Sequence, residues 1–421
     1  MSGSPAPLLD RERIKELFDL RSSVVLFTGG DLTEDPYPRW QALRESGPVH
    51  PGTLHGLSGI EGDLFWHGQF TNEGDHFTAF SYETVDQAHR NPDVFASSPE
   101  AVDAEADTGY ESSMLAMGGT QHRRYRALVQ PSFVPAKAQW WIARWIDETV
   151  HALIDSFVDD GRAELNVDFC AAIPVLTITG SFGIDVARAL DVRDAMRDPS
   201  QVAEIIGPIV EERRAHPQDD LISVLAHAEL TDEAGTHRLT DAEINSFAYL
   251  LLTAGSGTTW KQMGITLAAL LQRPELLEAV RADRSLLKPA IEESLRWEAT
   301  DPMFSRWVTE DTELGGVAIP RGAIVHLCLG AANRDPARWD RPDEYDPRRP
   351  AKPAMGFGGG PHICLGMHVA RAEMLTGIGA LLDRLPNLRL DPDAEPPSVF
   401  GFYERGVMDI PVVFDAKEAR S

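Results

Sequence analysis

The sequence is short of most features that a membrane-spanning, secreted or nucleic-acid-binding protein needs. No apolar run approaches the roughly 18 residues of a spanning helix. The longest candidates, Ala248–Ala254 and Ile324–Ala332, are short and contain polar residues. Met1 to Lys15 mixes Ser, Pro, Asp, Arg and Glu without the apolar stretch of a secretory signal, so a cytoplasmic location is expected. Cysteine is scarce. Cys170, Cys328 and Cys364 are odd in number and far apart, with no Cys-x-x-Cys, which argues against a disulfide framework and leaves room for one functional thiolate. Positive charge is scarce as well: 39 Lys and Arg against 65 Asp and Glu give a formal charge of −26. Such an excess of acid repels phosphate backbones and anionic lipid, which disfavours a general nucleic-acid or membrane-surface partner.

What is present suits a globular protein with a large core: 421 residues, 43% of them apolar and 25% charged. Asp35-Pro36-Tyr37-Pro38 opens a helix through Glu45, His76–Phe80 reads as a strand and Tyr82–Asn91 as a helix. Ser97 to Gly119 is rich in Gly, Ser and Asp and reads as a binding loop. Helical patterns dominate from Gln121 to Arg273, with Trp140, Ile142, Trp145, Ile146, Val150, Ile154 and Phe157 spaced for one buried face. Thr240 and Glu243 form a capping box, starting a helix that runs to Arg273 before Pro274. At 1.5 Å per residue such a helix is roughly 50 Å long, enough to cross a domain. Helices over Pro274–Ala282 and Pro289–Trp297, strands at Val317–Ile319 and Ile324–Leu329, a meander from Asn333 to Pro353, a helix after Leu365 and a hairpin over Ser398–Phe414 complete the expectation.

The chemistry concentrates in Phe357-Gly358-Gly359-Gly360-Pro361-His362-Ile363-Cys364-Leu365-Gly366. A lone thiol lies between a glycine-rich turn and a helix start, where backbone amides and the helix dipole favour a thiolate, a soft metal ligand. Glycines there let the backbone approach a large flat ligand. A buried free cysteine, or a zinc site using His362, Cys364 and His368, are the competing readings; the second supplies only three ligands. Cys328 also precedes Leu-Gly but lies in an apolar run without the turn, so it reads as core, as does Cys170.

This string resembles the haem-binding signature of the cytochrome P450 superfamily, Phe-Gly-x-Gly-x-His-x-Cys-x-Gly, at every fixed position. The resemblance implies a single domain over 1–421, mainly α with a smaller β region, with haem between a long central helix and the cysteine-bearing loop. It implies Cys364 as the axial thiolate of haem b, and Phe357, Gly358 and Gly366 as parts of the loop around it. A thiolate pushes electron density onto iron and favours O–O cleavage. Glu293-Ser294-Leu295-Arg296 matches the family's Glu-x-x-Arg; the pair shares a helix face at i, i+3 and, with Arg349 of the meander, would hold the core. His122 and Arg126 match a His-x-x-x-Arg helix, and Arg306 a later arginine; with His362 they would hold the haem propionates. Read singly, each of these cations is an ordinary surface charge.

Ala254-Gly255-Ser256-Gly257-Thr258-Thr259 lies midway along the long helix, where two glycines each cost about 1 kcal/mol relative to alanine. In the family this is a groove over the haem, with Thr258 bonding dioxygen and its waters; packing of the glycines against a neighbouring helix is the plain alternative. One position departs: Gly257 replaces the acid usual before the threonine. Protons must then travel by water, Ser256, Thr258, another acid or the substrate, and Asp301 and Glu298 are candidates by position. Family substrate positions fall on Met114, Leu115, Leu251, Met303, Phe304, Val407 and Met408, a set suited to a small or medium apolar molecule. Arg405 could meet a carboxylate or lie on the surface. The implied activity is insertion of one atom of O₂, as hydroxylation or O-dealkylation. Electrons would come from NAD(P)H through a reductase and a ferredoxin or flavodoxin-type carrier, with Arg123, Arg124 and Arg126 as a docking patch. Gly257 motivates two alternatives on the same scaffold, peroxide-dependent oxidation and oxidative coupling; a non-catalytic haem sensor is a third.

Overall fold

The computed structural model describes residues 10–18, 34–60, 74–98, 113–232 and 235–416. Its axis is the helix Asp241–Leu271. The capping box forms as expected: the Thr240 hydroxyl accepts the Glu243 N–H at 3.2 Å, and the Glu243 carboxylate accepts the Thr240 N–H at 2.7 Å. The helix stops two residues early, because Arg273 becomes the residue that opens Pro274–Ala282. From Thr259 to Leu271 every residue is buried, so this half has no solvent face and packs on all sides. Helices Ala172–Ser181, Pro199–Ala215, Leu287–Trp297 and Met367–Arg384 surround it. Side-chain amides bind some of these together: Gln262 donates to Ser294 Oγ at 3.2 Å and to the Glu298 carbonyl at 3.1 Å, and accepts the Thr300 N–H at 3.0 Å.

Beside the helices lies a sheet of β1 (Val49–Pro51), β2 (His76–Ala79), β3 (Phe95–Ala96), β4 (Met303–Val308) and β5 (Ile324–Cys328), in the order β1-β2-β5-β4-β3. β5 runs parallel to β2 and antiparallel to β4, with Val325 opposite Arg306 and Cys328 opposite Met303. Strand β4 was not anticipated, since its residues read as a substrate-facing segment. The fold is thus mainly helical with a smaller sheet region. Cys170 and Cys328 are fully buried, as expected of core residues.

Two local expectations are corrected. The tryptophan-rich helix contains a wide π-turn at Ile142–Ile146 between Ala138–Trp141 and Asp147–Asp155. That turn shifts the register, so Trp141 is buried while Trp140, Ile142 and Trp145 are only half-buried. The C-terminal hairpin is shorter than expected. Val399–Phe400 pairs with Gly406–Val407, but Pro411–Val413 joins Arg389–Leu390 and Arg162–Glu164 in a separate sheet. The Glu164 carboxylate draws the chain across by accepting the Ile410 N–H at 2.7 Å. The expected binding loop lies partly outside the described residues, which omit 99–112.

The Glu293–Arg296 pair is no solvated face: the two residues are 6% and 2% exposed. Arg296 bonds both Glu293 oxygens, at 2.8 and 2.7 Å, and then the carbonyls of Asn333, Pro342 and Glu344. Arg349 reaches the same carboxylate at 3.2 Å, and the Asp346 N–H donates to it at 3.0 Å. Removing one charge from such a network leaves the others buried and unpaired. Glu293→Gln should therefore lower unfolding stability by about 3–5 kcal/mol, measured by denaturant titration.

Candidate active site

The cysteine loop is shaped by two left-handed glycines, Gly358 (φ 70°) and Gly360 (φ 64°). A Cβ at Gly360 would lie 2.2 Å from the His89 carbonyl oxygen, so no larger residue fits. The loop closes on itself where the Cys364 N–H donates to the Phe357 carbonyl at 2.9 Å, and Gly366 then opens Met367–Arg384. Arg371 stacks over the Phe357 ring at 4.6 Å while its guanidinium grips Glu292 at 2.5 Å. Cys364 opens onto a cavity of about 1230 Å³. Enclosure by protein pushes the thiol up to about 11, and Asp301 adds to this, outweighing the Gly366 N–H, Arg126 and Arg371. A metal cation at the sulfur is what would remove that proton.

The same cavity brings together most of the expected site. The central helix contributes Leu251, Ala254, Gly255, Gly257 and Thr258; the loop contributes Phe357, Gly358, His362 and Gly366; and His122, Arg126, Phe304, Arg306, Met114 and Leu115 complete the set. Thr258 directs its hydroxyl to the Ala254 carbonyl at 3.4 Å, a long bond that leaves it free for another partner. The two helix glycines differ in kind. A Cβ at Gly255 would press on Ile178 at 3.2 Å, as the packing alternative requires, whereas one at Gly257 meets nothing within 4 Å.

Other expected residues lie elsewhere. Ser256 is fully buried and does not itself line the cavity, its hydroxyl 3.3 Å from Met196 Sδ. Met303 is 1% exposed and packs with Trp40 and Phe402, because strand alternation turns it opposite to Phe304. Val407 is buried in the core beside Gly264, and Met408 offers its carbonyl to Asn166 at 2.8 Å. Arg405 is neither on the surface nor free: it donates to Glu298 at 2.6 Å. Glu298 also accepts from Tyr37, so it is no proton-path candidate. Asp301 does line the cavity, beside a Lys261–Glu404 ion pair that the sequence did not flag.

One group of cavity residues is rich in hydrogen-bond donors. The rings of His122 and His362 stack at 3.8 Å, and Arg126 donates to the Ile363 carbonyl at 2.8 Å. Among the described residues neither Arg126 nor Arg306 meets a carboxylate. Burial and nearby arginines hold the imidazoles neutral, pushing His122 down to about 4 and His362 to about 2; burial lowers Arg306 to about 10. His89, also on the cavity, has no partner for either ring nitrogen among the described residues and is pushed down to about 3 by burial. Its signal in the sequence is an imidazole on the apolar face of Tyr82–Arg90, one turn after Val85. A cysteine sulfur, a glycine cradle and unanswered donors fit a haem with its two carboxylates. No cluster of three metal-ligating side chains gathers among the described residues, so the zinc reading finds no support.

Comparison with known proteins agrees with this geometry. The family model described as cytochrome P450 matches residues 189–408. The chain is 30% identical over 408 residues to a biotin biosynthesis cytochrome P450 of Bacillus subtilis, covering 91% of this chain and 98% of that one. It is 32% identical over 383 residues to the cytochrome P450 monooxygenase PikC of Streptomyces venezuelae, covering 86% and 87%. Among solved structures, P450BioI in complex with an acyl carrier protein ligated to hexadec-9Z-enoic acid superposes with a TM-score of 0.79 at 27% identity, covering 91% of this chain and 99% of that one. No described helix is long and apolar enough to cross a membrane.

Asp301 provides a pH test. Burial first, then Glu404, raise its carboxyl from 3.8 to about 7 against the pull of Lys261. The native state therefore holds more protons than the unfolded chain in that window, and ionising Asp301 costs stability as pH rises through it. Asp301→Asn should raise the thermal midpoint at about pH 8, with the gain shrinking toward about pH 5. An equal gain at both values in differential scanning calorimetry would contradict this.

Proposed function

We infer the reaction from the family: the chain belongs to the cytochrome P450 family, and is an oxidoreductase that holds haem through a cysteine thiolate and uses dioxygen. The proposed reaction is insertion of one oxygen atom into an organic substrate, by hydroxylation or O-dealkylation. Electrons would pass from NAD(P)H through a reductase and a ferredoxin or flavodoxin-type carrier. The observation that carries this reading is that one cavity joins the Cys364 sulfur, the Thr258 hydroxyl and the donor cluster of His122, Arg126, Arg306 and His362. Bound there, the haem supplies dioxygen activation.

The protein's own part is positioning. Cys364 would ligate the iron, and the two arginines and two histidines would hold the haem's carboxylates by charge-assisted bonds. Ala254, Gly255, Phe357, Gly358 and Gly366 would bound the haem, with Gly358 allowing close approach. Thr258 would hold a proton or a water at its Oγ, its bond to Ala254 being weak enough to exchange. Ser256, whose hydroxyl meets Met196 and Arg193, is given no part in this reading. Leu251, Phe304, Met114 and Leu115 supply apolar contact for the substrate, while Asp301 and the Lys261–Glu404 pair add a polar region to a pocket read from sequence as apolar. For carrier docking, Arg123 and Arg124 are exposed, whereas Arg126 turns inward to Ile363.

The gap at Gly257 favours a second reading, peroxide-dependent oxidation, since no acidic side chain stands before Thr258. Product formed with NAD(P)H and carriers supports the first reading; product formed with peroxide alone supports the second. Cys364→Ser should abolish the thiolate-type absorption band of the reduced carbon monoxide complex while leaving the fold intact by circular dichroism. Gly257→Asp should leave coupled turnover similar or worse. A large gain in product per NAD(P)H would mean that the natural proton path lacks only that acid.

A further inference from the structure

Among the cations on the cavity, Arg193 stands apart. It lies on the helix Ala189–Ala195, with its guanidinium 4.6 Å over the Phe18 ring and a single long bond, 3.4 Å, to Ser256 Oγ. The other cavity cations have partners or an assigned role. Lys261 is bound to Glu404, Arg197 pairs with Asp194 at 3.6 Å, and Arg126 and Arg306 belong to the donor group assigned to the haem. Arg193 meets no carboxylate among the described residues. Protein encloses it closely enough to lower it to about 10 by desolvation, with Arg197 adding to the effect and Glu404, held by Lys261, only partly opposing it. A guanidinium stripped of water and left without an anion is unfavourable unless a ligand answers it.

The same cavity holds space for that ligand. Gly257 follows Ser256 in the chain, lines the same cavity, and has nothing within 4 Å of where a Cβ would stand. We propose that Arg193 anchors an anionic group of the substrate beside Gly257, so that the substrates of this enzyme are organic acids. The inference rests on the monooxygenase reading and names its substrate class. It also joins two oddities that are separate in the sequence: the helix lacks a carboxylate at position 257, and the cavity wall carries an arginine that meets none among the described residues. A substrate carboxylate satisfies both, with bidentate geometry available from the planar guanidinium. Phe18, edge-on to Trp260 at 5.7 Å, forms an aromatic floor under the same site.

The test uses the full-length haem-loaded protein and two matched probe pairs, dodecanoic acid with dodecan-1-ol and 4-phenylbutyric acid with 4-phenylbutan-1-ol. Dissociation constants are read from the haem absorption shift and, independently, from calorimetry. In the wild type at least one acid should bind about tenfold or more tighter than its alcohol. Arg193→Gln should bring that pair to within about threefold, with the alcohol's affinity unchanged, and Arg193→Lys should restore part of the preference. Gly257→Asp, which sets the protein's own carboxylate in the gap, should weaken the acid by about tenfold and spare the alcohol. Acids binding no tighter than alcohols in both pairs, or a preference that survives Arg193→Gln, overturns the proposal. Loss of the thiolate-type band in the wild type would instead sink the monooxygenase reading, while the calorimetric comparison would still decide the role of Arg193.

Discussion

The structure depends on one buried carboxylate. Glu293 accepts from Arg296, Arg349 and the Asp346 backbone at once, and Arg296 carries the network on to the Asn333 carbonyl. The Asn333 side chain in turn accepts the Met355 N–H at 2.7 Å, two residues before Phe357 and the start of the cysteine loop. A helix, the meander and the loop that presents Cys364 are therefore tied through charges that have left water. Such charges persist only when every one is answered, which makes the arrangement all-or-none and holds the sulfur where the cavity needs it.

The cavity has the opposite character, with polar groups left unanswered. Arg126, Arg306 and three neutral imidazoles crowd together without a carboxylate among them, in a protein whose formal charge is −26. Burial first, and the neighbouring arginines second, favour the neutral imidazoles, so the group offers hydrogen bonds while limiting mutual repulsion. An incoming dianion turns that frustration into binding energy, which is how a fold can be built around a cofactor. Arg193 is a smaller instance of the same principle, and it points toward the other molecule that must enter.

Elements announced by local chemistry were legible. The Thr240–Glu243 box and Pro274 bracket the central helix to within two residues, and Val317–Ile319 and Pro274–Ala282 appear as read. Elements that depend on a partner were not. The π-turn at Ile142–Ile146 changes which tryptophan is buried without altering composition, and strand β4 exists because β5 pairs with it. The C-terminal chain leaves its hairpin because Glu164, far away in sequence, accepts the Ile410 N–H. Asn387 and Arg341 hold positive φ with no glycine to announce the turn.

The sequence by itself determined the chemistry available: one cysteine in a glycine-rich turn, a paired Glu and Arg on one helix face, a threonine groove with glycine where an acid is usual. Those depend on residue type and spacing along a single element, and both are written in the chain. Tertiary structure alone decided what each group does. Met303 and Val407 turn into the core and Met408 packs half-buried against it, while Lys261, Glu404 and Arg193 reach the cavity. Burial raises the Cys364 thiol and the Asp301 carboxyl, and Glu298 is consumed by Arg405 and Tyr37. The physical reason is that burial and through-space charge set protonation and partnership, and both arise between residues that are remote in sequence until the chain has folded.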